Sequence, residues 1–151
     1  MTICNALCEL KNISMTEEED LLPSFNENQV LLASGQLLEA VVILLKNDVK
    51  HLSTITGVYQ ENKLQLLYHF WQGEGVTLRV VIDATDNRVD SITDLIPGAL
   101  FYEREIVEMF GVKIKGLDMA TRMFLPDNWQ GGAPMRRKLE VGSEEEMQEI
   151  K

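Results

Sequence analysis

Cysteine and positive charge are both scarce in this sequence, and each scarcity closes off a class of function. Only two cysteines, Cys4 and Cys8, occur among 151 residues. An iron–sulfur cluster ordinarily takes four thiolates, and a zinc site here would have to draw in His51 or His69 from far along the chain. The expectation is two free thiols in a reducing compartment and no cofactor or metal held by this chain. Lysine and arginine number 14 against 24 acidic residues, a formal net charge of −10. Nucleic acid and anionic lipid both reward positive charge, so neither is expected as a direct partner. Long apolar runs are missing as well. The longest, Leu37 to Leu45, is broken by Glu39 and falls short of the roughly 20 residues needed to span a bilayer. No basic region followed by an apolar one opens the chain, which points to the cytoplasmic side. Dinucleotide, Walker, zincin and nucleophile-elbow motifs are all absent, so no stand-alone catalytic site is expected.

What is present is enough for a core: 45% of the residues are apolar. The pattern predicts a strand over 28–33 and a largely buried helix over 36–46, ending at Asn47-Asp48. Three further strands follow over 51–59, 64–71 and 76–82, joined by short polar connections suited to antiparallel neighbours. Thr77-Leu78-Arg79-Val80 alternates, which predicts one wet sheet face and one carrying helices. Residues 83–88 read as a polar loop, Ser91 as the cap of a short helix through Leu95, and Pro97-Gly98 as a break. Thr16-x-x-Glu19 has capping-box spacing, and acidic blocks stand at 17–20 and 144–146. The expected fold class is α+β: an antiparallel three- to four-stranded sheet packed by helices. Residues 1–126 form the domain and 127–151 an extended partner-binding tail.

The chain is organised around residues 101–137, FYEREIVEMFGVKIKGLDMATRMFLPDNWQGGAPMRR. Tyr102, Ile106, Met109 and Phe110 recur at helical spacing, and Gly111 follows where a left-handed C-terminal turn suits a residue without Cβ. At 100° per residue Glu103 falls inside the apolar arc, while Arg104, Glu105 and Glu108 gather on the other side. A carboxylate in an apolar face needs a cation or donors. Arg122 is the first expected partner of Glu103 and Arg136 the second. Arg136, Arg137 and Lys138 form a basic island in an acidic chain.

These segments resemble the C subunit of respiratory complex I (NADH-quinone oxidoreductase) and the related small subunits of membrane-bound energy-converting NiFe hydrogenases. The family pattern runs E-R-E-x-x-D-M-F-G, then G-H-P-x-x-R-R-x-L-x-P, then G-x-P-L-R-K. Glu103, Arg104, Glu105, Met109, Phe110 and Gly111 match the first part. Gly116, Arg122, Leu125, Pro126 and Trp129 match the second, and Gly132, Pro134, Arg136, Arg137 and Lys138 the third with a small offset. Glu108 replaces Asp, Leu117-Asp118 replaces His-Pro, and Met135 replaces Leu. Leu139-Glu140 stands where the family's acidic-aromatic ending would begin, which favours the hydrogenase branch.

The resemblance implies a non-catalytic subunit on the peripheral arm, at the cytoplasmic side of the membrane and bound to it only through other subunits. It would clamp a hydrogenase-like large subunit of the complex I D type, beside a small iron–sulfur subunit. Quinone or a NiFe centre, with the iron–sulfur clusters, would lie in those neighbours. An independent enzyme using Glu103 or Glu105 as acid or base is the alternative, although two residues apart on a helix they point about 160° from each other. A free-standing adaptor is the third reading.

Overall fold

In the computed structural model, the described residues are 2–14, 28–60, 63–82, 86–117 and 122–136. The 16–19 capping box, both acidic blocks, Arg137 and Lys138 fall outside them. Four strands form the main sheet: β1 (Gln29–Ala33), β2 (His51–Gln60), β3 (Lys63–Trp71) and β4 (Gly75–Ile82), in the order β1-β4-β3-β2. The meander from β2 to β4 is antiparallel, as the short connections require, whereas β1 runs parallel to β4. An all-antiparallel sheet is thus corrected at one edge. Strand direction there depends on how the chain crosses the sheet after β1, and alternation within a strand carries no record of that.

The helices α1 (Thr2–Lys11) and α2 (Leu37–Lys46) contribute Ile3, Ala6, Leu10, Leu37, Ala40, Val41 and Leu44 to the core. The α2 residues recur at spacings of three and four, which lays one stripe along the helix. Asn47-Asp48 does end α2. Val49 N–H reaches Leu44 O and Asp48 N–H reaches Leu45 O, with Asp48 at φ 62°, the Schellman arrangement that satisfies the last carbonyls. Leu64, Leu66, Tyr68 and Phe70 of β3 face this core beside Val76, Leu78, Val80 and Ile82 of β4.

The opposite sheet face is drier than alternation predicts. Arg79 is only 6% exposed and its Nε donates to Gln65 Oε1 at 2.6 Å. Leu31 and Leu67 are its cross-strand neighbours, so its aliphatic stem lies among apolar side chains.

A second, two-stranded parallel sheet pairs β5 (Arg88–Asp90) with β6 (Lys113–Lys115). Arg88 therefore begins a strand, where the sequence reads as the end of a loop. Between them runs α3 (Ala99–Phe110), packed on β2. That contact depends on Gly57. A Cβ there would lie 2.4 Å from Phe110 Cε2, so only glycine leaves room for the ring.

Candidate functional site

The start of α3 is set by the break at Pro97-Gly98, and Gly111 closes the helix at φ 65°, as expected for a residue without Cβ. Residues 92–96 make a hydrogen-bonded turn where a short helix was expected: Leu95 and Ile96 N–H both reach Ile92 O. Glu103 holds that turn. It is fully buried, as the helical phase predicts, but its partners are not arginines. Ser91 Oγ donates to one carboxylate oxygen at 2.6 Å and Ile92 N–H to the other at 2.7 Å. Burial pushes the Glu103 carboxyl up, against the opposing pull of these two bonds. The expectation of a Glu103–Arg pair is thus wrong for both candidates. A polar turn packed on the helix supplies donors locally, and no cation has to be buried.

Glu108 corrects the other half of the helical wheel. Placed on the polar side from sequence, it is only 8% exposed. Its oxygens accept three consecutive backbone N–H groups, Met123 at 2.6 Å, Phe124 at 2.9 Å and Leu125 at 2.8 Å. Burial works against its charge, but these donors outweigh it and, with Arg122, hold the carboxyl below its ordinary range. Successive amides converging on one anion form a nest, here filled from within the chain. With their amides turned inward, Met123 and Phe124 are left exposed, Phe124 by 44%. Phe101, on the same helix, is 57% exposed. Arg104 Nη1 contacts Met123 Sδ at 2.9 Å, which ties the loop to the outer face of α3.

The chain from residue 30 to residue 145 matches the family model described as respiratory-chain NADH dehydrogenase, 30 kDa subunit. The chain belongs to this family. The C subunit of NADH-quinone oxidoreductase from Roseiflexus sp. (strain RS-1) is 31% identical over 102 residues, which cover 66% of this chain and 58% of that protein. The fused C/D subunit from Nitrosospira multiformis is 37% identical over 93 residues, 57% of this chain and 15% of that protein. The chain thus spans under two thirds of the length of these relatives. Two solved structures share the fold: a trypsin-resistant fragment of Nqo5 (TM-score 0.65, 22% identity, 78% of this chain and 98% of that one) and a chain of an archaeal membrane-bound sulfane sulfur reductase (TM-score 0.64, 22% identity, 74% and 72%).

The remaining motif residues fall into two groups. Arg122 Nη1 donates to Trp129 O at 2.8 Å and Pro126 O at 3.3 Å, and Trp129 Nε1 donates to Gly132 O. These residues fold the segment after the nest onto itself. Pro134 opens a 3₁₀ turn (Pro134–Arg136) that packs against α3. Arg136 Nη2 donates to Asn87 Oδ1 at 2.8 Å, and its guanidinium lies 5.6 Å from the centroid of the Tyr59 ring. Asn87 also donates to Gly111 O and accepts from Lys113 N–H, so it joins the end of α3, β6 and the 3₁₀ turn. Sequence reading missed this hub. Its signal is Asn at φ 50°, a conformation for which asparagine is enriched.

Arg136 thus serves the fold, and residues 134–136 lie on the body where a tail reaching for a partner was expected. Glu105 is exposed, on a different side of α3 from buried Glu103. Cys4 and Cys8 are free and exposed. Among the described residues no helix is long and apolar enough to cross a membrane, and no three His, Cys, Asp or Glu residues cluster as a metal would need.

Proposed function

We propose that this chain is a non-catalytic peripheral subunit of a membrane-bound respiratory complex, clamped onto a hydrogenase-like large subunit of the D type. One observation carries the reading. A buried carboxylate is spent on fixing a short loop whose apolar side chains, Met123 and Phe124, are then left exposed, and Phe101 is exposed three residues before Arg104, the α3 residue that Met123 touches. Exposed aromatic and methionine side chains on a rigid mount suit a protein interface. Relatives named as C/D subunits supply the identity of the neighbour, since there the two subunits bear one name. A small iron–sulfur subunit is the second neighbour in this reading. Quinone or a NiFe centre, and the clusters, belong to those neighbours. For the branch, the named relatives favour a quinone oxidoreductase over the hydrogenase expected from sequence. Of the alternative, an enzyme using Glu103 or Glu105 as acid or base, the Glu103 form is disfavoured, because Glu103 is sealed from solvent and bonded within the turn.

The test is co-purification of tagged chain with the large subunit from its own host. Phe101→Asp with Phe124→Asp should weaken association about 30-fold or more, as for interface hot spots of about 2 kcal/mol. Both positions are exposed, so the variant's melting temperature should match wild type. Undiminished association would remove this surface from the interface. A wild-type chain that purifies alone would remove the subunit reading itself.

A further inference from the structure

Between α3 and the β5–β6 pair runs an open groove of about 400 Å³. Val107, Val112 and Ile114 contribute apolar lining, and Arg88, Lys113 and Lys115 contribute cations. In the strand register Arg88 stands directly opposite Lys113, and both are exposed. Like charges placed opposite one another on paired strands destabilise the pair. Arg88 lies 3.3 Å from Asp86 and Lys115 lies 3.9 Å from Asp90, solvent-exposed contacts of the kind that contribute little. Three cations around an apolar groove are out of keeping with a chain of net charge −10.

We propose that this groove receives an acidic segment of a partner subunit, with carboxylates bridging Arg88 and Lys113 and aliphatic side chains on the floor. The proposal rests on the reading that the chain docks in a larger complex, and it adds a second contact with its own chemistry. Val107, which lines the groove, lies one helical turn after Arg104 on α3. Nucleic acid and anionic lipid are poorer occupants, because the rest of the surface repels polyanions.

Carbodiimide coupling of the purified complex tests this, since it joins a lysine Nζ to a carboxylate in direct contact. Mass spectrometry should find Lys113 or Lys115 joined to one acidic, aliphatic-rich segment of another subunit. Lys113→Glu with Lys115→Glu should abolish that product and weaken association about tenfold or more without lowering the melting temperature. Coupling only to Asp86, Asp90, Glu140, Glu144, Glu145, Glu146 or Glu149 of this same chain would overturn the proposal. So would no coupling at these lysines while others in the complex react. If the charge-reversed chain co-purifies at wild-type affinity, the groove falls and the docking reading stands. If the wild-type chain co-purifies with nothing, the reading falls and takes the groove with it.

Discussion

Glu103 sits where α3 meets the core, its oxygens taking one hydroxyl and one backbone N–H. Glu108 faces another side of the same helix and takes three backbone N–H groups. Both are buried and both are fully engaged, yet their carboxyls move in opposite directions, Glu103 upward and Glu108 downward. The difference lies in the donors. Two bonds do not offset full burial of a charge, whereas three convergent amides at the edge of the fold do, with Arg122 adding to them. Glu103 therefore acts as a hydrogen-bond acceptor whose charge is a burden. Glu108 acts as an anion whose charge orders a loop.

The largest expected effect comes from truncating Glu103. Glu103→Ala leaves the Ile92 N–H without its acceptor and opens a cavity beneath the turn, which together should cost about 3–5 kcal/mol. Glu103→Gln should cost about 1 kcal/mol or less, because the amide oxygen still accepts from Ile92 and its NH₂ can donate to Ser91 Oγ. Denaturant unfolding of both variants checks this. A Gln variant as unstable as the Ala variant would show that the charge itself is needed at 103.

Glu108 should behave in the opposite way. Glu108→Ala should cost about 1.5–3 kcal/mol, the range for hydrogen bonds to a charged group. Glu108→Gln should cost nearly as much, since an NH₂ cannot accept from amides that already point at both oxygens. Hydrogen exchange gives the local readout: Met123, Phe124 and Leu125 amides should lose protection in both variants, and no others should to the same degree. Retained protection at these three amides would mean that the loop holds its shape without the carboxylate, and the mount argued for the docking surface would lose its physical basis.

How far the sequence reveals this contrast follows from what a helical wheel can register. Period places Glu103 inward because its neighbours on α3 are apolar, and it places Gly111 at the C-terminal turn for a steric reason. Both hold. Period cannot see that a later loop returns to cover a second side of the helix, so Glu108 reads as solvated. Nor can it choose among donors: Arg122 and Arg136 look apt for Glu103 by charge, but Arg122 closes its own loop and Arg136 reaches Asn87. Strands β2 to β4 are legible because their turns are short and their side chains alternate. The three-residue strands β5 and β6 are not, since three residues carry almost no periodicity and their partner lies more than twenty residues away. Gly57 looks like a weak point in a strand until Phe110 is seen lying over it.

The smallest expected effect is also the sharpest test of the contrast, because both carboxylates titrate within one curve. A group whose pKa is raised on folding is proton-loving in the native state. Glu103 should therefore destabilise the fold as pH rises from the ordinary carboxylate pKa through its own raised value, and should return that stability on acidification. A group whose pKa is lowered does the reverse. Glu108 contributes stability above the ordinary carboxylate pKa and loses it as pH falls through its own depressed value. Acidification from neutrality should then first strengthen the wild-type protein through Glu103 and, at lower pH, weaken it through Glu108. The measurement is unfolding free energy against pH for wild type, Glu103→Gln and Glu108→Gln, with each variant subtracted from wild type to remove the other carboxylates. The Glu103 difference should favour wild type increasingly as pH falls, with its change above the ordinary carboxylate pKa. The Glu108 difference should shrink as pH falls, with its change below that value. Two difference curves of the same slope would mean that both carboxylates share one role, and the assignment of acceptor to one and anion to the other would fail.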